Sequence, residues 1–184
     1  MNIAIIGSGL TGSLAAISLA NAGFRVDLYE RLSDEELINR DRSYAITHSS
    51  RKIFQRIGIW SNIVCDLIPF KYLNVIDYEI NEKVQFSYAD LRFTDNRYKS
   101  VGWIAIHNKL MSKILDYMSE FDFINKIPTS VIPNSNKYDL IVAADGANST
   151  TKKKLRTPSF SFKYDQMCLA SKVILRGAKS DESF

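Results

Sequence analysis

A glycine motif close to the start of the chain narrows the choice of fold. Gly7, Gly9 and Gly12 have the spacing G-x-G-x-x-G. They follow a short apolar run, Asn2 to Ile6, which is long enough for one buried strand and too short for a helix. A small-residue helical run, Thr11 to Ala22, comes directly after them. A strand, a glycine turn and a helix in this order predict the start of an α/β dinucleotide-binding fold.

A second strand and an acidic residue complete the pattern. Phe24 to Tyr29 predicts the next strand, and Glu30 stands at its end. In such a unit the first glycine makes the tight turn, the second lets a pyrophosphate approach the backbone, and the third lets the helix pack closely. The helix N-terminus, which includes Leu10 and Thr11, offers free N–H groups to phosphates. We expect Glu30 to accept hydrogen bonds from ribose hydroxyls, with Arg31 beside it in the site. The motif alone leaves FAD and NAD open.

The composition is that of an ordinary globular protein of one domain or slightly more. The chain has 184 residues, is 46% hydrophobic and 24% charged, and carries a net charge of +4. This excess suits an anionic cofactor or a membrane surface, and it is too small and scattered to predict nucleic-acid binding. No secretory signal and no run of eighteen apolar residues is present, so we expect a cytoplasmic protein, with which peripheral membrane contact is compatible. We expect Cys65 and Cys168 to be reduced core thiols.

The segment after Glu30 predicts a surface loop and then a helix. Leu32 to Asp41 is polar and acidic, as in a loop with one helical turn. Apolar residues then recur at helical spacing, and we expect Phe54 and Trp60 among them to pack in the core. Arg42, just before this helix, is a candidate clamp on the pyrophosphate, and a surface arginine is an equally good interpretation of its position.

The middle of the chain indicates a separate antiparallel sheet. Phe70 to Phe93 alternates imperfectly between apolar and polar residues. Val101 to Ile106 predicts a further strand, after which we expect Asn108 to cap a helix over Lys109 to Glu120. Neither histidine of the chain belongs to an acid–histidine–nucleophile set, and no metal site can be assembled.

A second motif follows a later apolar strand. Leu140 to Ala144 predicts a buried strand, and the pair Asp145-Gly146 opens the turn at its end. Ligands of α/β sheets bind at the carboxyl ends of strands, so we expect Asp145 to lie near the cofactor. Its carboxylate can accept from a ribityl or ribose hydroxyl, and Gly146 lets the backbone come close.

These motifs together resemble the p-hydroxybenzoate-hydroxylase-type FAD-dependent monooxygenases. The resemblance rests on the glycine motif, Glu30, the helix after Arg42, and D-G-x-x-S-x-x-K from Asp145 onwards. The stretches RSYAITHSSRKIFQRIGIW, IPFKYLNVIDYE and GWIAIHNKLMSKIL are most similar to the branch that hydroxylates polyprenyl phenols in ubiquinone biosynthesis. The resemblance implies a Rossmann-like FAD-binding domain with a mixed sheet over residues 1–70 and 98–158. It implies part of an antiparallel substrate-side sheet over residues 71–97 and 159–184.

The resemblance also implies roles for individual residues. The three glycines and Glu30 would bind the ADP half of FAD, and Arg42 would touch the flavin side. Asn108 or Lys109 would lie near the middle of the cofactor, while Asp145 and its glycine would form the second contact motif. NAD(P)H would be the co-substrate and an aromatic compound or a polyprenyl phenol the substrate. We nominate no catalytic side chain, because the cofactor carries the chemistry in such enzymes.

Three departures from the family pattern leave alternatives open. Lys152 stands where an arginine is usual, the segment between Met118 and Leu140 has little room for the usual β-meander, and the chain matches only the N-terminal half of such an enzyme. Met167 to Leu175 would be a substrate-sheet strand without its continuation. We therefore expect a truncated chain that a C-terminal half or a second chain would complete. A truncated FAD-binding chain without activity of its own, a prenyl-reductase-type flavoprotein and an NAD dehydrogenase are the alternatives. Strands over residues 70–105 disfavour the dehydrogenase.

Overall fold

The protein has an α/β fold, seen in a computed structural model that describes residues 1–77, 79–91, 98–129, 131–147, 149–156, 158, 160, 162, 165 and 182–183. The strands in this part of the chain are β1 (Asn2–Ile6), β2 (Arg25–Glu30), β3 (Ser43–Ile46), β4 (Ile68–Phe70), β5 (Tyr72–Asp77), β6 (Glu82–Ser87), β7 (Gly102–Ile106), β8 (Ile124–Pro128), β9 (Leu140–Ala143) and β10 (Glu182–Ser183).

The helices lie between these strands. They are α1 (Leu10–Asn21), α2 (Asp34–Ile38), α3 (His48–Arg56), α4 (Trp60–Ile63), α5 (Tyr88–Leu91), α6 (His107–Met118) and α7 (Thr150–Lys154), with short 3-10 turns at Val64–Asp66 and Ser135–Lys137.

The central sheet has four parallel strands in the order β8-β2-β1-β9. Strand β1 is paired on both sides, with Ile3 opposite Val26 on one side and Leu140 on the other. It is buried on both faces, since Ile3, Ala4 and Ile5 are at most 1% exposed, and this explains its unbroken apolar sequence. The predicted strand Asn2 to Ile6 is confirmed, as is the Rossmann-like α/β class.

Two small sheets accompany the central one. Strand β7 pairs antiparallel with β3 and β4, while β5 and β6 form an antiparallel hairpin to which β10 adds in parallel. The hairpin turns at Asn81, whose positive φ of 54° is a backbone conformation that asparagine tolerates. The antiparallel strands predicted between Phe70 and Phe93 are thus present up to Ser87. Residues 92–97 and the predicted strand Met167 to Leu175 lie outside the described residues.

Helix α6 buries an apolar stripe in the core, where it packs against α1, α2 and α4, and it begins earlier than predicted. Its buried apolar residues recur every three or four positions: Leu110, Met111, Ile114, Leu115 and Met118. The prediction that Asn108 caps this helix is wrong, because the N-cap is Ile106 and no side chain caps it. Strand β7 ends at Ile106 and the helix starts at the next residue, so Asn108 already lies in the first turn.

Two further features differ from the expectations. Strand β8 was not predicted, because its sequence INKIP alternates weakly and it forms only by pairing with β2 at the edge of the sheet. Cys65 is an exposed free thiol and not a core residue. It lies in the 3-10 turn after α4, where the neighbouring Ile63 and Leu67 occupy the core instead. Cys168 lies outside the described residues. Phe54 and Trp60 pack with the core as predicted.

Candidate functional site

An open cleft with a volume of about 750 Å³ lies where β1, β2 and β9 end. A volume of this size is within the usual range for small-molecule and cofactor sites. Of the cofactor-binding residues predicted from the sequence, most line this cleft: Gly7, Gly9, Leu10, Thr11, Glu30, Arg31, Arg42, Asp145 and Gly146. Gly12 and Asn108 do not line it. The cleft thus gathers residues from both sequence motifs at the carboxyl edge of the parallel sheet.

The three glycines meet different geometric demands. Gly7 has a φ of +97°, and a Cβ there would lie 2.6 Å from the carbonyl oxygen of Ala144. A Cβ on Gly12 would lie 1.8 Å from the carbonyl oxygen of Gly7, so only glycine lets α1 pack this closely on the turn. A Cβ on Gly9 would meet no atom of the described residues within 4 Å. The space in front of Gly9 is therefore open for a ligand to approach the backbone.

The N-terminus of α1 points free donors at this space. Gly9 is the N-cap, the first turn contains no acidic residue, and no side chain of the described residues caps it. The first N–H group of the helix to bond within it is that of Ser13, which donates to the Gly9 carbonyl oxygen at 3.0 Å. The preceding N–H groups lack partners within the helix, and with the positive end of the helix dipole they favour a phosphate. The glycine turn and α1 therefore fit a pyrophosphate.

Glu30 is held rigidly beside the glycine turn. Its Oε2 accepts the N–H of Ser8 at 2.8 Å, and its Oε1 accepts those of Arg31 at 2.8 Å and Leu32 at 3.0 Å. An ionised carboxylate has about four acceptor positions, so about one remains for a ligand hydroxyl. Glu30 thus has a structural role in addition to the predicted role in ribose binding.

Asp145 has a similar double position at the end of β9. Its carboxylate accepts from the hydroxyl of Ser149 at 2.5 Å and from the N–H of Thr151 at 3.0 Å, and so it closes the turn into α7. Burial raises the pKa of the Asp145 carboxyl, but these hydrogen bonds outweigh it and hold the pKa below its usual value. The side chain is therefore ionised and fixed in orientation where it lines the cleft.

The cleft is lined by more basic than acidic side chains. Arg31, Arg40, Arg42 and Lys154 contribute positive charge, against the carboxylates of Glu30 and Asp145; of these six, Arg40 and Lys154 were not predicted. An excess of positive charge in a concave site attracts an anionic ligand. The signal for Arg40 was available in the sequence, because it stands two residues before the predicted Arg42.

Two further lining residues, Tyr44 and His107, were also missed. The hydroxyl of Tyr44 lies 2.8 Å from Nδ1 of His107, and Nε2 of the same ring lies 2.7 Å from the carbonyl oxygen of Leu37. The predicted alternatives at this position lie outside the cleft: Asn108 is exposed, and Nζ of Lys109 lies 3.4 Å from Oδ1 of Asp66. The residue before Asn108 is the one that faces the site.

The part of the chain that the structure describes contains neither a cluster of metal ligands nor a helix that could span a membrane. No group of three or more histidine, cysteine or acidic side chains there could hold a metal ion. No helix among the described residues is both long and apolar enough to cross a bilayer.

Known proteins match both the segment that contains the glycine motif and nearly the whole chain. Residues 5–34 match the NAD(P)-binding Rossmann-like domain family. The chain is 26% identical to the mitochondrial ubiquinone biosynthesis monooxygenase of Dictyostelium discoideum over 98% of its own length and 44% of that protein. It is 29% identical to the kynurenine 3-monooxygenase of Drosophila melanogaster over 92% of its length and 42% of that protein. The chain therefore spans less than half the length of these relatives.

Solved structures with a similar fold include a monooxygenase and a protein solved with FAD. The p-nitrophenol 4-monooxygenase PnpA from Pseudomonas putida superposes with a TM-score of 0.68 at 19% identity, over 83% of this chain and 42% of that one. Klebsiella pneumoniae HpxO, solved with FAD and uric acid, gives a TM-score of 0.52 at 23% identity over 68% of this chain and 30% of that one. By sequence and by fold, the chain is similar to the N-terminal, dinucleotide-binding region of FAD-dependent monooxygenases.

Proposed function

We propose that this chain is the FAD-binding portion of a flavin-dependent aromatic-ring monooxygenase. The observation that carries the proposal is the cleft, in which the free N–H groups of α1, the carboxylates of Glu30 and Asp145 and a surplus of basic side chains surround one open space. The pyrophosphate of FAD can bind to the free N–H groups of α1, and its ribose and ribityl hydroxyls can donate to the two carboxylates. The similarity to monooxygenases over nearly the whole chain supports the same assignment.

When bound, FAD would supply the redox chemistry, with NAD(P)H as electron donor and O2 as oxidant. The residues of this chain would do the work of binding and orientation. The glycine turn and α1 would hold the pyrophosphate, while Glu30 would fix the adenosine ribose. Arg42 and Asp145 would contact other parts of the cofactor along the cleft.

We further propose a phenolic, polyprenylated substrate. The match to a ubiquinone biosynthesis monooxygenase extends over 98% of this chain, and a second such protein, from Drosophila melanogaster, matches over 99% of it at 26% identity. A polyprenyl tail partitions into membranes, so such an enzyme would make peripheral contact with a bilayer. Kynurenine is the competing substrate, since kynurenine 3-monooxygenases match at similar identity.

The binding half of the proposal is tested by titrating the purified chain with FAD and, separately, with NAD⁺. FAD binding with quenching of flavin fluorescence is the expected result. The matched control is Gly9→Val, whose side chain would fill the open space in front of the turn and abolish binding while the circular dichroism spectrum stays unchanged. Binding of NAD⁺ without binding of FAD would overturn the assignment of FAD as the cofactor. It would favour NAD(P) as the ligand, a second candidate that the family match over residues 5–34 supports.

The proposed catalytic activity is that of a complete enzyme, because this chain spans less than half the length of its relatives. We expect the isolated chain not to hydroxylate, since a flavin site must exclude water to couple reduction to oxygen transfer. The assay compares NAD(P)H oxidation with product formation on a polyprenyl phenol and on kynurenine, with and without the remaining part supplied as a second polypeptide. Coupled product formation by the isolated chain would refute the expectation that it does not hydroxylate. Hydroxylation of kynurenine but not of the polyprenyl phenol would refute the proposed substrate.

A further inference from the structure

The buried His107 determines which atom donates in its hydrogen bond with the hydroxyl of Tyr44. His107 is only 2% exposed, and its Nε2 lies 2.7 Å from the carbonyl oxygen of Leu37. A carbonyl oxygen only accepts, so Nε2 carries the proton, and in the neutral ring Nδ1 is then the acceptor. The hydroxyl 2.8 Å from Nδ1 is that of Tyr44, so its O–H group donates the hydrogen bond to this acceptor nitrogen.

The surroundings hold this pair in place. The N–H of His107 donates to the carbonyl oxygen of Arg42 at 2.9 Å. Tyr44 belongs to β3 and is paired with Ala105 of β7, the strand that leads directly into α6. Both residues line the cleft. Backbone contacts therefore set the geometry of the pair before any ligand arrives.

The hydroxyl oxygen of Tyr44 therefore acts as a hydrogen-bond acceptor in a cleft that is rich in donors. Because its only O–H group donates a hydrogen bond to His107, the hydroxyl oxygen of Tyr44 can offer only lone pairs to a ligand. It can receive a hydrogen bond from a hydroxyl or N–H group, and it repels the oxygens of a phosphate. The two carboxylate acceptors of the cleft, Glu30 and Asp145, are charged and are already bonded to protein groups. Tyr44 is a neutral acceptor whose lone pairs are available.

We propose that Tyr44 accepts a hydrogen bond from a hydroxyl or N–H group of bound FAD, and that His107 is the positioning residue that keeps Tyr44 in its accepting state. This inference rests on the proposed function, because FAD is the ligand assumed. It adds a specificity element: the Tyr44 side of the cleft selects a sugar, ribityl or isoalloxazine donor and rejects a phosphate.

The first test measures the affinity for FAD of Tyr44→Phe by fluorescence titration, with ADP titrated in parallel. Losing one hydrogen bond should weaken FAD binding about 3- to 10-fold. The matched control is Tyr138→Phe, which removes a hydroxyl bonded to Asp27 at 2.6 Å outside the cleft and should change affinity by less than about twofold. Weaker FAD binding with unchanged ADP binding places the donor on the riboflavin half. An equal loss for both ligands places it on the adenosine half. Unchanged FAD affinity in Tyr44→Phe overturns the proposal.

The second test is a double-mutant cycle for the role of His107. His107→Gln keeps one neutral donor and one acceptor, so it should retain more FAD affinity than His107→Leu, which has neither. His107→Leu combined with Tyr44→Phe should be no weaker than the poorer single variant, because both remove the same interaction. Additive losses, or equal affinities of the Gln and Leu variants, would overturn the positioning role. If the unmodified chain binds no FAD, the proposed function fails; if it binds FAD and the Tyr44 variant matches it, only this inference fails.

Discussion

Gly9 and Gly12 stand three residues apart in one motif, yet the structure predicts opposite consequences for an added methyl group. In Gly12→Ala the new Cβ would be placed 1.8 Å from the carbonyl oxygen of Gly7, so the backbone must move by about 1.6 Å to restore a normal contact. Overpacking against backbone costs about 3 kcal/mol, and the better helix propensity of alanine returns about 1 kcal/mol. We expect a net loss of about 2 kcal/mol in the free energy of unfolding.

In Gly9→Ala the fold should be almost unaffected. The residue has a φ of −64° and a ψ of −179°, which any residue adopts, and its Cβ would enter open space. Alanine is a poorer N-cap than glycine, which lowers the free energy of unfolding, but it also makes the unfolded chain less flexible, which raises it. The two effects cancel to within about 0.5 kcal/mol. The methyl group would instead occupy the approach of the pyrophosphate to the N–H groups of α1. Losing one hydrogen bond to a charged group costs about 1.5–3 kcal/mol, which is a loss of affinity for FAD of about 10- to 150-fold.

The assay is urea unfolding of both variants alongside FAD titration under the same conditions. The expected pattern is a lower midpoint with an unchanged slope for Gly12→Ala, and a normal midpoint with weak FAD binding for Gly9→Ala. Two results would refute the reasoning. One is a Gly12→Ala protein as stable as the unmodified chain, which would mean that α1 does not press on the turn. The other is a Gly9→Ala protein with full affinity, which would mean that the ligand does not reach this part of the backbone.

Three further predictions concern other parts of the fold. Glu30→Ala should lower the free energy of unfolding by about 1–3 kcal/mol as well as weaken FAD binding, because three backbone N–H groups lose their acceptor; unfolding and titration measure the two effects. The pKa of the Asp145 carboxyl is lower in the fold than its usual value of about 3.9, so its contribution to stability is complete above about pH 4 and is lost as the pH falls through the lower folded value. Urea midpoints should therefore show that Asp145→Asn is costly near neutral pH and becomes steadily less costly as the pH falls below about 4. Gly58→Ala should destabilise by about 1–3 kcal/mol, because its φ is +88° and the Cβ would lie 2.6 Å from the hydroxyl of Tyr117; Tyr117→Phe in the same chain should restore part of the midpoint.

The parts of the fold that the sequence predicted well are those specified locally. After Asn2, strand β1 is an unbroken apolar run, and the turn that follows the strand requires glycine at Gly7 for its positive φ. The hairpin of β5 and β6 could be predicted because its two strands are joined by a short turn. In each case the residues that specify the element lie within a few positions of one another.

The parts that escaped prediction depend on distant partners. Strand β8 has little β-pattern of its own and forms because β2, about 100 residues earlier, offers its edge. The contact between Tyr44 and His107 joins residues 63 positions apart, and the one between His107 and Leu37 spans 70. Nothing near His107 in the sequence marks it as a site residue, because its partners are a phenol and a backbone carbonyl that only the folded chain brings together.

The two sequence motifs are one structural unit, and this has a consequence for how the cleft works. Strands β1 and β9 are neighbours in a parallel sheet, so the turn at Gly7 and the turn at Asp145 leave the same edge side by side. They are in direct contact: a Cβ on Gly7 would lie 2.9 Å from the Cα of Asp145. Gly12 in turn presses on Gly7, so α1, the glycine turn and the start of α7 form a continuous packed series. A ligand seated on the glycine turn would therefore restrain the Asp145 turn through this packing as well as through any direct contact with Asp145. The affinity for FAD and the local stability of α7 should rise and fall together, because both depend on the same backbone contact between the two turns.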